Sequence, residues 1–246
     1  MTRTALGRLA RVSGELEQQV AGIAALNDPV RRALYRYVAD SADPVSREQA
    51  ATAMDVQKAL AAFHLDKLAE QGLLDVEFRR LTGRTGPGAG RPAKLYRRSD
   101  RQIDLSLPPR EYDLAGQLLA QAIQTSEASG RPVRAELEDA SYAFGEQLGS
   151  EALARSGRRP SRAMRHAALL EALRSHGFEP RPLGRDVILA NCPFHTLAAR
   201  YTELVCGMNL HMMRGIHSQL AFGDHDLVPR LEPEAGQCCV KFCGAA

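Results

Sequence analysis

The sequence has no tryptophan, and aromatic residues make up only 5% of it. So few rings argue against a platform that stacks single-stranded bases. Charge of one sign is missing as well. Lysine and arginine number 32 against 29 acids, a formal net charge of +3. Such a chain is not a non-specific coat for nucleic acid; its basicity must be local, as in a module with one positive face. No apolar run is long enough to suggest a membrane span, and the N-terminus lacks the apolar core of a signal peptide. A cytoplasmic location without membrane contact is therefore expected. Catalytic signatures are absent too: there is no Gly-x-Ser-x-Gly elbow, Walker loop or dinucleotide fingerprint. No repeat of fixed period occurs. Cysteine is missing before Cys192, the first of five. In a cytoplasmic protein they read as reduced thiols, metal ligands or redox sensors, not as a disulfide framework.

What is present supports two modest domains with cores of their own, since the chain has 246 residues. Residues 1–14 are basic and rich in small side chains, expected to be a disordered start. A helix is predicted over 15–26. Asp28-Pro29 then reads as N-cap and first helical residue, with Val30, Leu34, Tyr37 and Val38 as the buried stripe. Ser46 caps a second helix, Arg47 to Ala53. After a turn at Met54-Asp55 comes the stretch that organises the chain, Val56 to Arg98. Ala61, Leu65 and Leu68 fall on one helical stripe, and Gly72 is a stop. The opposite face carries Gln57, Lys58, Leu60, Phe63, His64 and Lys67. Strands at Asp75–Arg80 and Lys94–Arg98 flank a glycine-rich loop whose only charges are cationic. Helix, helix, turn, helix, wing is the order of a winged helix-turn-helix. The candidate DNA-contacting residues are Ser46, Gln57, Lys58, Leu60, Phe63, His64 and Lys67, with Arg80, Arg84, Arg91 and Lys94 from the wing.

The words of this segment also resemble a family. Phe63-His-Leu-Asp-Lys-Leu68, Gly72-Leu73-Leu74, Gly83-Arg84 and Gly90-Arg-Pro-Ala-Lys-Leu-Tyr-Arg97 look like the winged helix-turn-helix of ArsR-like bacterial regulators. The last of these is the most specific. The resemblance implies a transcriptional regulator acting on double-stranded DNA.

A boundary is expected near 105–106, after which the chain reads as an α+β domain. Helices are predicted at 111–126, 135–154 and 162–176. A hairpin follows at 178–183 and 186–191, then one long helix over 197–220, then strands at 226–231 and 238–243. The fold class expected for the whole is α+β. An N-terminal winged helix-turn-helix (15–105) is joined to a C-terminal sensor and dimerisation domain (106–246) with a small antiparallel sheet. Cys192 ends a strand, Cys206 lies in the long helix, and Cys238, Cys239 and Cys243 lie on the last strand. A helix laid across a hairpin would bring thiolates from three elements towards one centre. Soft sulfur donors suit an iron–sulfur cluster, zinc or another thiophilic metal. Candidate ligands are Cys192, Cys206, Cys238 and Cys239, then Cys243 and His195; His211 is a further possible nitrogen donor. Met208, Met212 and Met213 read as core.

Asn191-Cys-Pro-Phe194, a second cysteine one helix on and a third near the C-terminus resemble the sensor half of SufR-type repressors. That likeness implies an iron–sulfur cluster on Cys192, Cys206 and Cys238 or Cys239, whose state controls DNA binding. Here a doubled Cys238-Cys239 replaces one cysteine, and Cys243 is additional. The Cys-Cys-Val-Lys-Phe-Cys ending also resembles small-molecule-binding domains similar to vinyl reductase, which implies zinc. The expectation is a homodimeric regulator on a palindromic operator, controlled by a thiolate-held centre. Two alternatives stay open: a regulator with a pocket for an organic ligand, and a thiol redox enzyme.

Overall fold

A computed structural model describes residues 16–80, 92–157, 159–220, 222 and 227–244. The expected disordered start (1–14), the wing tip with Arg84 and Arg91, and Asp226 lie outside these residues. The chain divides into two compact units, Met1–Leu105 and Ser106–Ala246. Among the described residues no helix is long and apolar enough to cross a membrane.

The first unit opens with α1 (16–25) and α2 (Pro29–Asp40). The Asp28 carboxylate accepts the Arg31 backbone N–H at 2.8 Å, and Pro29 fills a position whose N–H has no helical partner. Leu34 and Val38 turn inward as the spacing predicts. A two-residue strand, β1 (Val45–Ser46), precedes α3 (Arg47–Ala53). Ser46 and Gln49 form a reciprocal capping box there. Asp55, with φ at 49°, makes the turn into α4 (Lys58–Glu70); Asp tolerates this left-handed conformation better than most residues. Gly72, at φ 69°, ends α4. β2 (Leu74–Arg79) and β3 (Ala93–Arg98) pair antiparallel from Leu74↔Arg98 to Arg79↔Ala93. The sheet order is β1-β3-β2. Leu34, Val38, Ala61, Leu65, Leu68 and Tyr96 form the heart of the core. This is a winged helix-turn-helix, with β1 as a strand that the sequence pattern did not announce.

The second unit begins with α5 (Tyr112–Ser129), α6 (Val133–Arg155) and α7 (Arg162–Ser175). A hairpin of β4 (Pro180–Leu183) and β5 (Asp186–Leu189) follows. The long helix expected at 197–220 is instead two, α8 (His195–Arg200) and α9 (Thr202–Gln219). Tyr201, at φ −128° and ψ 53°, leaves helical geometry between them, with neither Pro nor Gly to mark the break. β6 (Val228–Leu231) and β7 (Val240–Cys243) complete an antiparallel sheet of order β4-β5-β7-β6. The last strand is shorter than expected, so Cys238 and Cys239 precede it.

Helix α9 is the centre of this unit. Val205, Met208, Met212, Met213 and Ile216 are buried along it, each worth roughly 1.5–3 kcal/mol on burial. Three glycines let α9 and α6 meet backbone to backbone. A Cβ on Gly145 would strike Met212, one on Gly149 would strike Ile216, and one on Gly215 would strike Tyr142.

Candidate functional site

On the first unit, α4 presents one face outward. Gln57, Lys58 and Leu60 are exposed, and Phe63 is 59% exposed. Lys58 pairs with Glu48 of α3, and Lys67, half-buried, pairs with Glu70 at 3.0 Å. Arg80 is exposed at the end of β2. Phe78, 65% exposed on the same strand, was not anticipated; it shares strand parity with buried Leu74, so alternation gave no signal of its exposure. Two expected contact residues are turned inward. Ser46 is buried as the cap of α3. His64 is buried, and its Nδ1 accepts from Arg31 Nε at 3.3 Å, tying α4 to α2.

Lys94 is engaged inside the unit. Its Nζ donates to Asp66 Oδ1 at 2.6 Å, and Tyr96 OH donates to the same oxygen at 2.5 Å. Arg47 Nη2 donates to both Asp66 oxygens at 3.0 and 2.7 Å, while its Nε donates to Tyr96 OH at 2.9 Å. Burial pushes the Asp66 carboxyl up, but donors from Lys94, Tyr96 and Arg47 outweigh it and hold it below its ordinary value. Tyr96 is pushed up to about 12, chiefly by burial and then by Asp66. This cluster locks α3, α4 and β3 together. It fixes the wing's root against the helix whose face is exposed. Two other strand cations are paired too, Arg79 with Glu77 at 3.5 Å and Arg97 with Asp75 at 3.0 Å.

On the second unit, four of the five cysteines form two pairs. Cys206 of α9 and Cys239 are joined as a disulfide, with Cα atoms 6.3 Å apart. Cys192 and Cys238 are buried free thiols in hydrogen-bond contact. The Cys238 thiol donates to Cys192, which lowers the Cys192 thiol to about 7; burial opposes this, and the Phe194 N–H and the Arg110 charge assist it. The same contact, with burial, raises Cys238. Of the two, Cys192 is the more acidic sulfur and Cys238 the less. Asn209, one turn after Cys206, donates from Nδ2 to Cys238 Sγ at 3.1 Å. Because Cys238 and Cys239 lie in irregular backbone, strand alternation does not force them apart.

The Cys192 turn is held by residues that spacing alone did not single out. Arg110 Nη1 donates to Asn191 Oδ1 at 2.7 Å and to the Cys192 carbonyl at 2.8 Å. Asn191 Nδ2 donates to the Gly177 carbonyl at 2.6 Å. A cavity of about 210 Å³ opens here, lined by Arg110, Asn191, Cys192, His195 and Gln237. His195 is exposed on it. Cys243 stands apart on β7, where its thiol faces Glu232 at 3.7 Å and is raised by burial and by the charges of Glu232 and Asp186. His211 faces Glu138 at 3.8 Å. Among the described residues no three His, Cys, Asp or Glu side chains are grouped to hold a metal ion.

Fold and exposed helix face define the first unit as a winged helix-turn-helix module. Residues 26–77 match a family described as a helix-turn-helix domain. The match supports a DNA-binding transcriptional regulator. No curated protein and no solved structure matches the chain.

Proposed function

We propose that the protein is a homodimeric transcriptional regulator whose operator binding is controlled by a thiolate-held centre on Cys192, Cys206, Cys238 and Cys239. Two winged helices on a palindromic operator double the few base contacts that one can make. Gln57, Lys58 and Phe63 would meet base edges in the major groove, and Arg80, with Arg84 and Arg91, the flanking phosphates.

One observation carries the control reading: cysteines from three separate segments pair with one another, Cys206 with Cys239 and Cys192 with Cys238, and Cys238 and Cys239 are consecutive in the chain. Their donor chemistry fits a soft centre, an iron–sulfur cluster or zinc. Joined to each other, Cys206 and Cys239 offer no thiolate; two electrons and two protons from a dithiol reductant open that bond. Four thiols are then available as possible donors, and Arg110 and Asn191 hold the Cys192 turn in place. Such a centre would tie the hairpin end, α9 and the terminal segment together, which gives its loss a structural consequence. The test is the ultraviolet–visible spectrum and metal content of protein purified without air. A brown sample absorbing near ~400 nm, with iron and sulfide, supports a cluster. A sample that takes up neither iron and sulfide nor zinc after reduction overturns the metal reading and leaves the DNA-binding reading standing.

A second reading has its own observation. A cavity of about 460 Å³ is lined by Arg162, Ala163, His166, Arg185, Phe222 and Leu227. Its size and its mix of cationic and apolar walls suit a small organic anion. A rise in melting temperature with 1-naphthoate, lost in Phe222→Ala, would support it.

A further inference from the structure

Helix α4 turns Ala61, His64, Leu65 and Leu68 inward. On its other side Leu60 is 40% exposed and Phe63 59%. Positions three apart share a helix face, so the two stand one turn from each other on the side that α4 presents outward. Neither belongs to the core of the unit. The ring of Phe63 meets its chain neighbour His64 edge-on, with centroids 5.2 Å apart. Nor does helix formation ask for phenylalanine, whose propensity is below that of lysine or glutamine. The charged side chains around the pair are engaged within the unit. Lys58 pairs with Glu48, Lys67 with Glu70, and Asp66 with Arg47 and Lys94. Gln57 remains on this face to exchange hydrogen bonds, and Leu60 and Phe63 to make apolar contact.

A single exposed apolar side chain is ordinary on any surface. Two on successive turns of the helix that a winged helix-turn-helix lays in the major groove have a defined target. Base edges there offer hydrogen-bond donors and acceptors and one apolar group, the thymine C5-methyl. Against the other edges an apolar side chain displaces water without replacing its hydrogen bonds, which costs free energy. Against the methyl, both apolar surfaces leave water. Leu60 and Phe63 are about 4.5 Å apart along the helix axis, comparable with the ~3.4 Å between successive base pairs.

We infer that Leu60 and Phe63 read thymine C5-methyl groups on neighbouring base pairs, which makes them specificity-determining residues and places thymines in each operator half-site. This rests on the DNA-binding reading proposed above and is independent of the cysteine centre.

The test uses full-length protein and a duplex selected from random sequence, at fixed salt. Each thymine of the half-site is replaced in turn by deoxyuridine, which removes the methyl and leaves base pairing intact. Two positions on neighbouring base pairs should each lose about fourfold in affinity, the worth of one apolar carbon group taken from water. In Phe63→Ala one of these losses should vanish, and in Leu60→Ala the other. Leu183→Ala, at an exposed leucine of the second unit, should keep both. Because both α4 side chains are exposed, their variants should melt as wild type does. Uracil losses that persist undiminished in Phe63→Ala and Leu60→Ala, or a selected half-site without such thymines, would overturn the methyl reading and leave DNA binding standing. A change from dimer to monomer in Phe63→Ala, with the uracil losses undiminished, would overturn it by making this face a contact between copies. A wild type that selects no duplex sinks the DNA-binding reading and this inference with it.

Discussion

Asp66 receives donors from Arg47, Lys94 and Tyr96 at one carboxylate. Removing it takes the shared carboxylate acceptor from Arg47, Lys94 and Tyr96 and leaves two cations beside the Tyr96 hydroxyl. Charge-assisted hydrogen bonds are individually strong, but the Asp66 side chain is 37% exposed, so water screens much of the effect. Asp66→Ala is expected to lower the stability of the first unit by about 1–2 kcal/mol, read from urea unfolding. The pH dependence has two signs. Asp66 is depressed, so its contribution is present above about 3.9 and is lost as pH falls through its lower folded value. Tyr96 is raised to about 12, so its contribution is complete below about 10 and is lost as pH climbs towards the folded value. Urea midpoints at pH 7 should exceed those at pH 3 and pH 11, and Asp66→Ala should flatten the acid side. An equal acid loss in wild type and variant would assign it to other carboxylates.

Two elements organise the molecule, α4 in the first unit and α9 in the second. For α9 the governing feature is close approach to α6. Gly215→Ala places a methyl group against the Tyr142 carbonyl and the Gly145 backbone. Neither helix backbone can yield cheaply, so the variant should be less stable by about 3 kcal/mol in thermal or urea unfolding. Gly116→Ala is the matched control. It lies in α5, with nothing within 4 Å of the added Cβ, and should be neutral or more stable by up to about 1 kcal/mol. Were the two variants to melt alike, close packing between α6 and α9 would not be what the glycines serve.

At the scale of the whole molecule, the prediction concerns DNA. On an operator selected from random duplexes, affinity should fall steeply with salt, as counterion release requires. Lys58→Ala should weaken binding and reduce the salt slope, whereas His64→Ala should act mainly through stability, since His64 is buried against Arg31. Sedimentation should give a dimer, and a monomer at micromolar concentration would count against the two-half-site arrangement. Cys206→Ser should leave DNA affinity of the metal-free protein unchanged and abolish its dependence on the centre. Operator affinity that responds to metal or redox state as fully in this variant as in wild type would remove Cys206 from the control mechanism.

The sequence by itself determined what is local. Asp28-Pro29, the cap at Ser46, the Ala61–Leu65–Leu68 stripe and the stop at Gly72 each act within a few residues, so their helices were readable from spacing and capping chemistry. The four cysteines were visible as residue types, but their partners were not. Cys206 and Cys239 are 33 residues apart, and only the packing of α9 brings them together, with Asn209 on Cys238 a turn further on. The same holds for Ser46, His64 and Lys94. Each has the chemistry to touch DNA, yet burial or a partner on another element engages it within the fold. The break at Tyr201 likewise has no local breaker. Periodicity records which face of an element is apolar; which distant groups then meet is decided by how the elements pack.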